Sequence, residues 1–183
     1  MKKVFLSVIA VLALTFGMNA QEGFSAGAFI GVPVSGSDYA TFSIGADVTY
    51  LFEINEKFSV GPTTGFSHSF GDDRIYYDNN GAYNVDDPFQ YVPIAGAGRF
   101  NINEMFTVGL DLGYAVGIND DNDGGFYYRP MFGYNINDMI QLNASYRGIS
   151  LGDANRVYYG NYYYDYGYTG SFGIFSVGAT FSF

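Results

Sequence analysis

The sequence predicts an all-β fold, namely an eight-stranded antiparallel closed transmembrane β-barrel, on the strength of three observations. One polar turn string recurs three times, and the residues on both sides of it alternate between apolar and polar. The composition is also unusual, with 20% aromatic residues and 25 glycines but only 14% charged residues. Alternation with a period of two is typical of strands that have one apolar and one polar face.

The repeated strings occupy residues 53–61, 101–109 and 135–143, and each has a central asparagine, at Asn55, Asn103 and Asn137. Three positions before and after each asparagine the residue is apolar or aromatic: Phe52, Phe58, Phe100, Phe106, Tyr134 and Ile140. Even offsets carry mostly polar residues and glycine. Counting from the asparagines therefore assigns each strand residue to one of two faces.

Eight strands are predicted, at residues 23–32, 42–52, 58–70, 90–101, 106–118, 126–136, 140–150 and 171–183. The repeated strings form three short turns, and residues 33–41, 71–89, 119–125 and 152–170 form four longer loops. Short turns at one end and long loops at the other are typical of outer-membrane barrels, whose turns lie in the periplasm. This arrangement predicts that both termini are periplasmic.

The first twenty residues predict a cleavable signal peptide, followed by a barrel domain at 21–183. Lys2 and Lys3 precede an apolar run at residues 4–16, and the segment ends in small residues at Ala20, after which cleavage is expected. The run is shorter than the roughly 20 residues that a spanning helix needs.

Removing Lys2 and Lys3 with the signal peptide leaves six basic and eighteen acidic residues, a net charge of 6 − 18 = −12. This excess of acid argues against nucleic acid as a partner, and the lack of cysteine excludes disulfides and thiolate chemistry.

The last strand resembles the C-terminal signal by which outer-membrane barrels are recognised for insertion, carried here by Ser176, Gly178, Phe181 and Phe183. With the signal peptide, strand count and loop asymmetry, the mature chain resembles the small outer-membrane β-barrel family that includes OmpX and the transmembrane half of OmpA. We expect no peptidoglycan-binding domain of the kind that OmpA carries. The resemblance implies an outer-membrane location, with lipid and the insertion machinery as partners and a monomeric state, and only loosely a function.

Five charged residues fall on the polar face and are expected inside the barrel. Asp47, Asp111 and Arg129 lie eight positions from their asparagine, Arg147 lies ten away, and Arg99 lies four away, nearer the periplasmic mouth. Arginine suits bidentate pairing with carboxylates. Because eight strands enclose little more than side chains, we predict that the cluster plugs the lumen and fixes the strand register. The alternative is a gate or selectivity site.

Catalysis and metal binding have weak support in the sequence. His68 stands between Ser67 and Ser69, but alternation places the histidine on the lipid side and the serines inside, so a nucleophile and its base would not meet. Residues 119–125 superficially resemble a calcium loop, but Asn119 and Pro130 occupy its first and twelfth positions. We expect no catalytic residue, metal or cofactor, although acidic loops could share divalent ions with lipopolysaccharide.

The last long loop is rich in tyrosine, a residue suited to adaptable binding surfaces. Its seven tyrosines are Tyr158, Tyr159, Tyr162, Tyr163, Tyr164, Tyr166 and Tyr168. They predict either an adhesive outer surface or strands that continue beyond the membrane as a stiff sheet. The sequence therefore predicts a non-enzymatic outer-membrane barrel with a structural or surface-interaction role. The alternative function is a narrow, porin-like conduit for ions or small solutes.

Overall fold

The computed structural model describes residues 23–36, 40–71, 75–78, 81–84, 88–119, 122–151, 155–159, 162–166 and 170–183, with only the backbone at 75–78, 81–84, 155–159 and 162–166. The predicted signal peptide, its cleavage point and Tyr168 lie outside the described residues. No helix in the described part of the chain is long and apolar enough to span a membrane.

The described residues form thirteen strands. They are β1 (Phe24–Ser35), β2 (Ala40–Tyr50), β3 (Phe52–Asn55), β4 (Phe58–Gly71), β5 (Ile75–Asp78), β6 (Gly81–Asn84), β7 (Phe89–Asn101), β8 (Phe106–Gly117), β9 (Gly125–Asn135), β10 (Ile140–Leu151), β11 (Asn155–Tyr159), β12 (Tyr162–Tyr166) and β13 (Ser171–Ser182).

Eight of these strands close into an antiparallel barrel. Around the ring the order is β1, β2, β4, β7, β8, β9, β10 and β13, and β13 pairs again with β1. β3 continues β2 towards the first turn, while β5–β6 and β11–β12 are separate hairpins within two of the long loops. The predicted fold class is confirmed.

The barrel strands follow the predicted bounds closely, with one interruption. The second predicted strand is divided at Leu51, although its register with β4 is the same on both sides, with Thr49 opposite Thr63 and Phe52 opposite Val60. The Leu51 N–H continues the ladder with β1 by donating to the Gly23 carbonyl at 2.7 Å. β1 extends to Ser35, three residues beyond its predicted end. The hairpin β5–β6 was not predicted, whereas β11–β12 lies in the loop for which the sequence allowed either an adhesive surface or continuing strands.

The turns explain why the asparagine string recurs. In each turn the side-chain Oδ1 of the central asparagine accepts hydrogen bonds from the backbone N–H groups two and three residues further on. The distances are 3.0 and 3.0 Å at Asn55, 3.0 and 2.8 Å at Asn103, and 2.9 and 2.8 Å at Asn137. An asparagine side chain that replaces a backbone acceptor in this way stabilises a tight turn.

The two faces of the barrel differ as the alternation predicts. Large apolar side chains at odd offsets are exposed on the outside, for example Ile94 at 61% and Phe100 at 45%. Their neighbours at even offsets are buried inside, including Arg99 and Asp111. The fold is therefore apolar outside and mixed inside, the reverse of a soluble barrel that holds an apolar ligand.

Candidate functional site: the barrel lumen

The five predicted charges form one continuous chain of ion pairs inside the barrel. Arg99 Nη1 lies 2.5 Å from Asp111 Oδ1, and Arg129 Nη2 lies 2.5 Å from Asp111 Oδ2. The second contact is an ion pair by distance, although it is not aligned as a hydrogen bond. Arg129 Nη1 also lies 2.5 Å from Asp47 Oδ2. Arg147 completes the chain with two bonds to Asp47, at 2.6 and 3.0 Å.

This chain crosses the diameter of the barrel. Asp47 belongs to β2 and Arg129 to β9, which are four steps apart in the ring of eight. Arg147 is 1% exposed and Asp111 is fully buried. Removing one partner of a buried ion pair leaves the other charge uncompensated, which costs several kcal/mol. The chain therefore holds opposite walls of the barrel at a fixed distance.

Arg147 is the most completely enclosed arginine of the ion-pair chain. Its Nε donates to Ser176 Oγ at 3.2 Å, and its guanidinium carbon lies 3.4 Å from the centre of the Phe29 ring. A guanidinium above an aromatic face gains a cation–π attraction that is larger when water is excluded. The Asp47 carboxylate, a hydroxyl and a ring thus surround the charge on separate sides.

Three large lumen side chains lie opposite a glycine on the neighbouring strand. A Cβ atom at Gly65 would lie 2.8 Å from Asp47 Oδ1, and one at Gly109 would lie 2.8 Å from Arg99 Cδ. A Cβ at Gly45 would collide with the Phe29 ring that supports Arg147. The polar face carries glycine at these positions because the opposite side chain occupies the space.

On the loop side of the ion pairs the lumen is filled by a packed apolar layer. Phe89 and Phe172 have ring centres 4.2 Å apart, and Tyr91 and Tyr127 have theirs 6.1 Å apart. Ile149 is fully buried in the same layer. Sequence reasoning missed these residues. Continuing the even-offset count from Asn103 and Asn137 would have found most of them, since Tyr127, Tyr91 and Phe89 stand at even offsets of ten, twelve and fourteen.

On the turn side the lumen is an open polar cavity of about 780 Å³, here called the vestibule. Asp47, Arg99 and Arg129 form its floor. Its wall consists largely of hydroxyl and amide side chains, and several are bonded to one another, such as Asn143 Nδ2 to Thr180 Oγ1 at 3.1 Å. Acidic residues and one lysine lie at its mouth: Glu53, Glu56, Lys57, Glu104 and Asp138.

The residues of the predicted insertion signal divide between the two faces of β13. Ser176 is buried and bonded to Arg147 and to Ser145, while Gly178 also faces inward, where a Cβ would lie 3.1 Å from Phe29 Cβ. Phe181 and Phe183 are exposed on the outside. Ser176 and Gly178 thus have packing roles in the lumen whatever their part in insertion.

His68 and its neighbouring serines do not form a catalytic arrangement. His68 Nδ1 is hydrogen-bonded to Gln90 Nε2 at 2.8 Å on the outer face, and its ring packs edge-on against Phe70. Ser69 Oγ is buried inside and bonded to Ser43 Oγ at 2.7 Å. The histidine and the serine hydroxyl point to opposite sides of the strand.

The loop suggested by the calcium-like pattern is only partly described, because residues 120 and 121 lie outside the described residues. Asn122 Oδ1 accepts from the Gly124 N–H at 3.1 Å, and Asn122 Nδ2 donates to the Gln90 carbonyl at 2.7 Å. Its side chain is therefore engaged in loop structure. Among the described residues no group of three or more acidic or histidine side chains could hold a metal ion.

The tyrosine-rich loop is described only by its backbone. Tyr158 and Tyr159 lie in β11, and β12 contains Tyr162, Tyr163, Tyr164 and Tyr166. The two strands pair antiparallel over five residue pairs. The structure does not describe the tyrosine side chains, so their role in binding stays a prediction.

Known structures share this architecture at low sequence identity. The fold is similar to the crystal structure of Ail, the attachment invasion locus protein of Yersinia pestis, with a TM-score of 0.52, 18% identity, and coverage of 88% of this chain and 99% of that one. Neisserial surface protein A gives a TM-score of 0.44 and 15% identity over 88% of this chain and 97% of that one. No family model and no curated protein matches the sequence. The likeness to Ail shows a shared barrel fold.

Proposed function

We propose that the protein is a monomeric, non-enzymatic barrel of the bacterial outer membrane with a structural or surface-interaction role and a lumen closed by its own side chains. The observation that carries this proposal is the inversion of the barrel, with apolar side chains outside and ion pairs inside. The fold shared with Ail supports the membrane location. The predicted signal peptide and the insertion signal ending at Phe183 are consistent with export and insertion.

Aromatic residues near both ends of the outer face support a lipid-facing exterior. Towards the turns, the rings of Phe24 and Phe183 lie 5.9 Å apart. Towards the loops, Phe42 and Phe70 stack with ring centres 6.2 Å apart. Aliphatic residues such as Leu110 are exposed between them. Membrane barrels carry an apolar band of about 25 Å between two aromatic girdles.

Membrane insertion can be tested by fractionation and by electrophoresis. The protein is expected in the outer-membrane fraction, and a folded barrel is expected to migrate differently before and after boiling. Recovery as soluble periplasmic material, with no migration shift, would contradict the proposal.

The packed layer and the ion-pair chain support a closed lumen over an open pore. Purified protein in planar bilayers is expected to show no steady current. As a positive control, Tyr91, Tyr127 and Phe172 are replaced together by alanine, which removes three fully buried rings from the apolar layer. Steady open currents from the unaltered protein would refute the closed lumen.

A narrow conduit is the second candidate, and the vestibule favours it, because the turn side of the lumen is already open to solvent. Conduction would then require the ion pairs and the apolar layer to rearrange. Brief current steps that disappear on replacing the floor arginine Arg129, while the fold is retained, would favour this alternative.

A surface role rests on the long loops, and on the fold shared with Ail, which is by name an attachment protein. The test is deletion of residues 152–170, with cell adhesion and serum sensitivity as readouts. Replacing the seven loop tyrosines by serine keeps the loop length and is the matched variant. Adhesion that falls in both variants supports the tyrosine surface, whereas unchanged adhesion in both would reject it.

A further inference from the structure

The floor of the vestibule carries one positive charge more than its ion pairs neutralise. Three guanidinium groups meet two carboxylates, so the set of ion pairs that runs from Arg99 to Arg147 has a net charge of 3 − 2 = +1. The other acidic residues that line the vestibule are exposed at its mouth, where water and salt screen them. A charge in a mostly buried position is costly unless it is paired.

The floor also holds guanidinium donors that the ion pairs leave unused. Arg129 Nε is buried and has no hydrogen-bond acceptor in the described part of the chain. Among the described residues, the hydrogen bonds of Arg99 are made through Nη1, to Asp111 Oδ1 and to the Gly98 carbonyl at 2.9 Å. The excess charge and the unused donors therefore belong to the same ion-pair chain, of which Arg99 and Arg129 both line the cavity.

We propose that the vestibule floor binds one small inorganic anion, of the halide or phosphate class, against Arg99 and Arg129. The anion supplies the missing negative charge and accepts from guanidinium N–H groups, which suit anions well. At about 780 Å³ the vestibule has room for the ion with several water molecules. The ion enters from the turn end, because the apolar layer closes the other side.

Met131 offers a way to replace the anion by a side chain. It lies in β9, lines the vestibule, and is half-buried. A Cβ atom at Gly109 would lie 2.7 Å from Met131 Cγ and 2.8 Å from Arg99 Cδ, so the two side chains share the space above that glycine. Met131→Glu therefore brings a carboxylate beside Arg99, and Met131→Gln brings a group of the same shape without the charge.

The test uses refolded full barrel in zwitterionic micelles and the line width of chloride NMR as the readout. The unaltered protein is expected to broaden the chloride signal beyond empty micelles, in a saturable way, and inorganic phosphate is expected to reverse the broadening. Met131→Gln should retain this behaviour. Met131→Glu should weaken chloride binding about tenfold or more, which corresponds to about 1.4 kcal/mol.

Arg99→Gln gives an independent route, because it removes the excess positive charge and should also abolish the saturable broadening. This variant decides the matter if Met131→Glu does not fold, as judged by the electrophoretic shift. Broadening by the unaltered protein that is no greater than with empty micelles would overturn the proposal. Equal broadening by the unaltered protein and the charge variants would overturn it too, since chloride would then bind at a place other than the vestibule floor.

Discussion

The two halves of the lumen have the same strand geometry but opposite interiors. On the loop side, buried aromatic and aliphatic side chains such as Phe172 and Ile149 pack against one another. On the turn side, hydroxyl and amide groups line an open cavity. The ion-pair chain lies at the boundary, where Arg129 faces the vestibule and Arg147 faces Phe29 and Tyr127.

This difference shows that an eight-stranded barrel does not need a filled lumen along its whole length. The backbone ladder is closed in both halves, so strand edges are satisfied without help from the interior. Side-chain packing then needs to close the barrel lumen at only one level along its axis. We infer that stability in the loop half depends on side-chain contacts, and that the turn half tolerates change.

The largest effect is expected at the boundary itself, from Asp47→Ala. The change removes the carboxylate that pairs with both Arg129 and Arg147 and leaves two buried guanidiniums without it. The free energy of unfolding should fall by about 3 to 5 kcal/mol, measured by denaturant titration of the barrel refolded in lipid vesicles.

Asp138→Ala is the control for this prediction, since Asp138 is exposed at the vestibule mouth. It should change the free energy of unfolding by less than about 0.5 kcal/mol. Similar losses in both variants would mean that the ion pairs contribute no more than surface charges.

A matched pair of truncations compares the two halves directly. Ile149→Ala empties part of the packed layer and should cost about 2 to 5 kcal/mol of unfolding free energy. Leu51→Ala truncates a half-buried side chain that lines the vestibule, where water can enter, so the loss should be about 1 kcal/mol or less. A larger loss from the Leu51 variant would reverse the proposed contrast.

A pair of glycine substitutions tests the space around Phe29. Gly45→Ala places a methyl group against the Phe29 ring and the Phe66 carbonyl, and should lower the free energy of unfolding by about 1 to 3 kcal/mol. At Gly96, on the outer face, the nearest atom to a new Cβ would be the Leu112 carbonyl oxygen at 4.0 Å. Gly96→Ala should therefore be neutral or slightly stabilising. Equal effects of Gly45→Ala and Gly96→Ala on the free energy of unfolding would show that the Phe29 ring can move to make room for the methyl group.

The smallest effect is expected from Tyr91→Phe. The Tyr91 hydroxyl is buried, and within the described part of the chain it makes no well-aligned hydrogen bond, although the Ser67 hydroxyl on the paired strand lies close to it. Removing an unsatisfied buried hydroxyl should leave the free energy of unfolding unchanged or raise it by up to about 1 kcal/mol. A loss of more than 1 kcal/mol in the same vesicle assay would indicate a partner such as an ordered water molecule.

The fold could be predicted from the sequence because one short string sets the strand alternation on both sides of each turn. Counting from Asn103 places Arg99 and Asp111 inside, and counting from Asn137 does the same for Arg129. These assignments depend only on the two-residue period of a strand.

The two-part lumen could not be predicted in the same way. Alternation shows that a residue faces inward, but whether its neighbours fill the space depends on side chains from strands far apart in the sequence. Asp47 and Arg147 are one hundred residues apart, and their bidentate contact arises only when the ring closes. The division at Leu51 is likewise marked by no local pattern in the sequence.

The glycines opposite large lumen residues constrain how this protein and its relatives can diverge. Phe29 lies directly across from Gly45, Asp47 from Gly65, and Arg99 from Gly109. A side chain can grow at one member of such a pair only if the other shrinks. Substitutions at these paired positions should therefore be correlated: a larger residue on one strand should accompany a smaller one on its neighbour. Such covariation can identify related sequences whose overall identity is too low for detection.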